Sequence, residues 1–303
     1  MYRSAILMAA LVAVGDPALA QQPGDIVVEG VRNRDQQILE FVEALTPAPR
    51  GGQISRFERK VCPAATGLPE AQNARIVARL RLVAETAGIP LGTEKCKPNA
   101  LLIVADNKDE FIAAMRKQYP SYFVNAVMET IRPDDNGAVS AWHVGGVLDA
   151  NGQETGLMVE SSSSVETAGG GSSKNTEQAK HMVTESTDSS RLMPSAQPHF
   201  VSGVVVINRS ALGGLTITQL ADYGAMRLYG QTEPGKLPST SPPTILKVIG
   251  APMGSAIPQS LTQWDLGFLK SLYATDGLQF ATVQRAAIRQ RLRKELDSGG
   301  KDR

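Results

Sequence analysis

A chain of 303 residues with 42% hydrophobic and 20% charged side chains carries enough apolar material for a sizeable core, which excludes a fibrous protein. Lys and Arg number 31 against 30 Asp and Glu, a net charge of +1, so no global field draws the chain to nucleic acid or to an anionic membrane.

The first twenty residues read as a secretory signal peptide. Arg3 supplies the positive start, Ala5 to Val14 the apolar stretch, and Ala18-Leu19-Ala20 a small-x-small cleavage site. Cleavage after Ala20 leaves a mature chain starting at Gln21, which is expected to be secreted or periplasmic. The apolar run is too short to span a bilayer, and no later run reaches the roughly 18 to 20 residues a membrane helix needs. Export agrees with cysteine usage. The two cysteines, Cys62 and Cys96, are expected to form a disulfide, because free thiols are uncommon in an oxidising compartment and no C-x-x-C or histidine neighbour suggests a metal or redox pair. Closing a loop of about 35 residues contributes roughly 4 kcal/mol by the chain-entropy argument.

After the cleavage site, Asp25-Ile26-Val27-Val28-Glu29-Gly30 resembles the TonB box of outer-membrane receptors, which pairs by strand addition. The rest of the chain lacks the alternating membrane strands of such receptors, so the segment is read as a short strand or the start of an exported protein. Ile38, Phe41, Val42 and Leu45 then recur at helical spacing, closed by Pro47 and Pro49. Pro69 opens a second helix with Ile76, Leu80, Val83 and Ala87 on its apolar face, while Gln72, Arg75, Arg79 and Thr86 point elsewhere. Ala100 to Ala105 is continuously apolar and predicts a strand covered on both sides. Asp106 is placed to cap the next helix, whose buried stripe is Phe111, Ile112, Met115 and Tyr119.

Tyr122 to Ile131 predicts a short helix, followed by a turn at Pro133 to Gly137. Asn151-Gly152 joins Ala138 to Leu148 with Thr155 to Glu160 as a hairpin. Trp142, Val144 and Leu148 share its core-facing side, and His143 is expected to be solvated on the other. Ser161 to Pro198 is rich in Ser, Gly and charge, offers little to bury, and is expected to be a mobile insertion. Its Gly169 to Thr176 stretch lacks the second glycine, the preceding strand and the following helix of a phosphate-binding loop.

The most structured stretch follows. Val204 to Ile207 predicts a buried strand, Gly213-Gly214 a turn, and Thr216-x-x-Gln219 a capping box opening a helix packed through Ile217, Leu220, Ala221, Gly224 and Leu228 and ended by Gly230. Gly235 to Pro243 is a loop and Thr244 to Ile249 a short apolar segment. Thr262 and Asp265 form a second capping box for a helix carrying Leu266, Leu269 and Tyr273. The last helix, Thr282 to Leu296, sets Val283, Ile288, Leu292 and Leu296 beside Arg285, Arg289, Arg291, Arg293 and Lys294. That basic stripe is expected to be a solvated face.

Together with Leu261-Thr262-Gln263-Trp264-Asp265 and the following Leu269, Leu272 and Tyr273, the Val201 to Gly230 block resembles a poorly characterised group of exported bacterial proteins with a degenerate zincin-like core, related to metalloproteases. The resemblance covers roughly Ala71 to Tyr273. In zincins the corresponding helix carries H-E-x-x-H, two zinc ligands and a general base. Laid on this chain, those places fall at Thr218, Gln219 and Asp222. A threonine is no substitute for an imidazole ligand, a glutamine has no titratable proton, and one aspartate does not hold zinc by itself. The histidines are three, His143, His181 and His199.

The expectation is therefore an α+β fold, a small sheet packed against helices, forming one unit over residues 21–303 with the insertion at 161–198 and helices at the C-terminal end. The functional expectation is an exported envelope protein with a binding or structural role, without catalytic residues, cofactor or metal. Its partner would be an envelope protein or a small ligand rather than nucleic acid. The rival is a peptidase-like hydrolase with a site near Asp222.

Overall fold

The apolar run at Val204 becomes the middle of the longest strand, and the architecture is built around it. The computed structural model describes residues 23–48, 52–123, 133–134, 137–149, 151–157, 194, 196–252 and 254–298. In chain order these form α1 (Pro23–Ala44), β1 (Pro63–Thr66), α2 (Glu70–Thr86), β2 (Ala100–Ala105), α3 (Lys108–Gln118), β3 (Pro133–Asp134), β4 (Val139–Asp149), β5 (Glu154–Leu157), β6 (Ala196–Asn208), α4 (Ile217–Tyr229), α5 (Gln263–Tyr273) and α6 (Ala281–Ser298). The fold is α+β. One mixed sheet runs β1-β2-β6-β4-β3, with β5 added to β4.

β1, β2 and β6 are parallel, and β4 lies antiparallel to β6 along the whole of its length. Parallel pairing needs a crossover, which α2 provides between β1 and β2. Both faces of the central strands are covered, as their unbroken apolar sequence requires. Val204 and Val206 turn to one side with Ile103, Ile112, Met115, Phe123 and Trp142. Val205 and Ile207 turn to the other, where Leu102, Val104 and the helices α1, α2, α4, α5 and α6 form the larger core. Burial at roughly 25 cal/mol per Å² of apolar surface makes this two-sided packing the main stabilising term. Gly224 permits a close helix–sheet approach, since a Cβ there would stand 2.8 Å from Leu102 Cδ2.

Several local expectations change in this setting. Residues 25–30 belong to α1, so the segment read as a short strand is helical. Asn107, not Asp106, caps α3, its side chain accepting from the backbone of Asp109 and Glu110; Asp106 instead pairs with Arg209. A carbonyl oxygen on a neutral side chain does the capping, and the carboxylate one residue earlier is left free for the arginine. Tyr122 and Phe123 lie in a 3₁₀ turn, with Phe123 stacked on Trp142, and residues 124–132 fall outside the described residues. Most of the insertion expected at 161–198 is likewise outside them, but Ala196, Gln197 and Pro198 are strand residues paired with Asp149, Leu148 and Val147. The core strand thus begins before the position where its apolar run does.

The basic face of α6 is not simply solvated. Arg285 donates to Thr46 Oγ1 at 3.0 Å, to Thr46 O at 2.6 Å and to Ala48 O. Arg293 pairs with Asp35 at 2.8 Å, and Arg34 of α1 reaches Asp297 at 3.1 Å. Part of the stripe is thus a contact with α1 and the residues just after it. Arg291 and Lys294 are exposed, and so is Val283, at 50%, although the periodicity placed it on the apolar face. Ile288, Leu292 and Leu296 are buried.

Cys62 and Cys96 are disulfide-bonded with Cα atoms 5.8 Å apart. The bond joins the start of β1 to the segment entering β2, where Asn99 Oδ1 also accepts from Cys62 N at 2.7 Å. α2 is thereby tied at both ends. Replacing both cysteines by serine should lower unfolding stability by about 4 kcal/mol in urea, and an unmoved midpoint would show that the bond restrains nothing.

Candidate functional site

The helix start that the sequence singled out is made by reciprocal hydrogen bonds. Thr216 Oγ1 accepts from Gln219 N at 3.1 Å, and Gln219 Oε1 accepts from Thr216 N at 2.9 Å. Gln219 also donates through Nε2 to Pro258 O at 2.8 Å. Thr218 is half-buried beside it. Asp222, one turn on, is fully buried at 0% exposure. Its Oδ1 accepts from Arg79 Nε at 2.6 Å, and its Oδ2 accepts from Arg79 Nη2 at 2.9 Å and from Leu261 N at 2.8 Å.

This corrects the expectation that Arg79 points away from the core. A buried carboxylate is tolerated only when its charge is paired and its lone pairs are met. The fork of Arg79 does both, joining α2, α4 and the approach to α5 through one group. Asp265 has a similar duty at α5, accepting from Thr244 Oγ1 at 2.5 Å, Ile245 N at 2.9 Å, Thr262 N at 2.9 Å and Thr262 Oγ1 at 2.8 Å. Burial pushes its carboxyl above the usual range, and those four donors pull it back. Both acids are structural ties. Among the described residues, no three His, Cys, Asp or Glu side chains are grouped to hold a metal ion.

The histidines separate by role. His143, expected to be solvated, instead stacks on Phe200 with ring centroids 3.9 Å apart, and its Nε2 lies 2.9 Å from Leu228 O. The face it points to is covered by α4, which leaves the ring half-buried. His181 lies outside the described residues. His199 is buried at 1% exposure on β6, and neither ring nitrogen has a hydrogen-bond partner among the described residues.

His199 borders a cleft of about 660 Å³. It is lined by the strap Glu58-Arg59-Lys60, which precedes β1, and by Asn99, Glu154, Phe200 and Val201. The strap is held by its backbone, Phe200 N donating to Arg56 O at 2.8 Å and Val61 N to Pro90 O at 2.8 Å. Buried Arg56 pairs with Glu58 at 2.8 Å and donates to Leu272 O at 3.0 Å. Gln197 also donates to Glu58. Burial raises the Glu58 carboxyl and Arg56 opposes the rise.

Burial likewise pushes the His199 imidazole below its ordinary value of 6.5, against the pull of Glu154. A histidine depressed in the folded state takes up its proton more readily when unfolded, so the folded state loses stability as pH falls below that ordinary value. Urea melts at about pH 7.5 and about pH 5.5 should therefore show a loss on acidification that is smaller in His199→Gln; equal losses in the two proteins would remove His199 from the account.

Comparison of the chain with protein-family models, with curated proteins and with solved structures gave no match. The site rests on its own geometry. Residues 58, 59, 146 and 154 carry no motif, and the available sign was Gly145-Gly146 inside a strand, where missing side chains mark a close approach.

The Asp222 tie has its own test. Asp222→Ala, which leaves Arg79 without its partner, should cost about 3 to 5 kcal/mol of stability, and pairing it with Arg79→Met should recover part of that loss. Strict additivity would sink the ion-pair account.

Proposed function

We propose that this chain is an exported envelope protein that acts by binding, with the zincin-like helix α4 retained as scaffold and the His199 cleft as the ligand-facing site. The observation that carries the reading is a contrast in hydrogen bonding. At Asp222 every contact is spent on Arg79 and Leu261, whereas at His199 neither nitrogen of a buried ring beside the cleft is hydrogen-bonded among the described residues. Unmet buried polar groups are rare enough in folded proteins that each calls for a reason, and an absent ligand is one.

Export is supported by the disulfide, and no helix among the described residues is long and apolar enough to cross a membrane. The hydrolase reading needs Asp222 to work on a substrate. With both oxygens engaged in a dry site, it would first have to leave Arg79 unpaired, at a cost of several kcal/mol.

Intact mass of the native protein should start at Gln21. Imidazole NMR of the purified protein, titrated with the small-molecule fraction of an envelope extract, should move the His199 signals saturably. A chelator-sensitive peptidase activity abolished by Asp222→Asn, with His199 signals unmoved, would replace the binding reading with the hydrolase.

A further inference from the structure

His199 on β6 pairs directly with Gly146 on β4, next to a register shift between Val144 and Gly145. A Cβ on residue 146 would stand 2.7 Å from His199 Nε2 and 3.0 Å from Glu154 Oε1. The space where imidazole and carboxylate meet therefore exists because residue 146 has no side chain. Glu154 enters that space from the hairpin and makes two loose contacts. Its Oε1 is 3.7 Å from His199 Nε2 and its Oε2 is 3.8 Å from Arg59 Nε, both too long for hydrogen bonds.

The Glu154 and Arg59 side chains are 42% and 53% exposed, so their pairing is weak and readily exchanged for water or for another anion. His199 has no such outlet. A buried imidazole and an exposed guanidinium are bridged by a carboxylate of the chain itself that satisfies neither.

We propose that this is a carboxylate seat, in which a small ligand's carboxylate displaces the Glu154 side chain and bridges Arg59 and His199. The inference rests on the reading of the cleft as the ligand-facing site. Unlike Glu154, a free ligand is not tethered to a hairpin and can close both distances to hydrogen-bond length. Arg59 then donates to one oxygen and His199 Nε2–H to the other, which removes one of the two unmet nitrogens. Lys60 in the same strap adds positive charge, and the displaced Glu154 moves toward solvent. The charged groups facing the ring are Glu154 from β5 and Arg59 from the strap, with Glu58 and Lys60 lining the same cleft. The ligand class is thus a compact carboxylic acid, either a free acid or the terminus of a short peptide.

The test is NMR of the His199 imidazole in the full protein, titrated with N-acetylalanine, with N-acetylalaninamide and with propionate. N-acetylalanine or propionate should move the ring signals saturably and the amide should not; whichever acid binds more tightly identifies a peptide terminus or a free acid as the source. Glu154→Gln removes the resident competitor and should tighten binding by about tenfold, while Arg59→Ala should weaken it by about tenfold. Gly146→Ala should abolish it by filling the seat; if that variant does not fold, the Glu154→Gln and Arg59→Ala results decide. Equal shifts with acid and amide, or weaker binding in Glu154→Gln, would overturn the seat and leave the cleft reading standing. Silence of all three probes at about 50 mM in Glu154→Gln also overturns the seat; if envelope-extract molecules are silent too, the cleft reading goes with it.

Discussion

The carboxylate of Asp222 is the constraint on which the helical layer depends. It sits where α4 passes under α2, accepts both arms of the Arg79 fork and holds the backbone N–H of Leu261 just ahead of α5. Its burial fixes the relative positions of three elements at once, because any slide of α2 over α4 would strand a charge in an apolar core. The neighbouring contacts follow from that placement. Gly224, two residues along α4, comes down on Leu102 of β2, and Tyr229 at the helix end donates its hydroxyl to Leu80 O at 2.9 Å. Tyr273 in turn donates to Tyr229 O at 2.8 Å, so α5 is tied to the end of α4 as well as to its start.

A second set of polar ties holds the strap. Arg56 is gripped by Glu58 and Leu272 O, Gln53 donates to Gly277 O at 2.8 Å, and Gln284 Oε1 accepts from Ile54 N at 2.7 Å. These bonds connect the strap to α5, to α6 and to the turn between them. The segment leading into the strap is thus tied to groups more than 200 positions away in the chain, in addition to its buried Ile54 and Phe57. That anchoring is what lets Glu58, Arg59 and Lys60 line a cleft, since charged residues on a free loop would define none.

What could be read in the sequence was local. The strand at Val204, the capping boxes at Thr216 and Thr262, the hairpin at Asn151-Gly152 and the close approach at Gly224 each follow from a few adjacent residues, and each stands in the structure. The disulfide was legible because compartment chemistry leaves two cysteines few alternatives. Two of the departures share a cause. Arg79 and His143 fall off the apolar stripe of their own elements, which predicts solvent exposure, a rule that fails once a second element covers the polar side. Arg79 meets Asp222 and His143 meets Phe200 only after β6 and α4 return over residues more than 50 positions earlier in the chain. The cleft was less legible still. It depends on which residue of β4 lies opposite His199, and a register shift inside a long strand sets that pairing.

The register shift also explains why the unmet group is where it is. Three buried charged groups are met by partners: Asp222 by Arg79, Asp265 by Thr244, Thr262 and the backbone N–H of Ile245, and Arg56 by Glu58. At Gly145-Gly146 the strand carries no side chains over two positions, and β5 is joined on through a short turn that brings Glu154 overhead. A larger residue at 146 would fill the gap beside the imidazole; a glutamine or asparagine nearby would satisfy it. The chain does neither. It keeps a space bounded by a buried histidine, an exposed carboxylate and an arginine, beside a segment held by polar ties. In a molecule that pairs its other buried acids so completely, an open seat of this kind points to something the chain meets rather than to something it failed to pack.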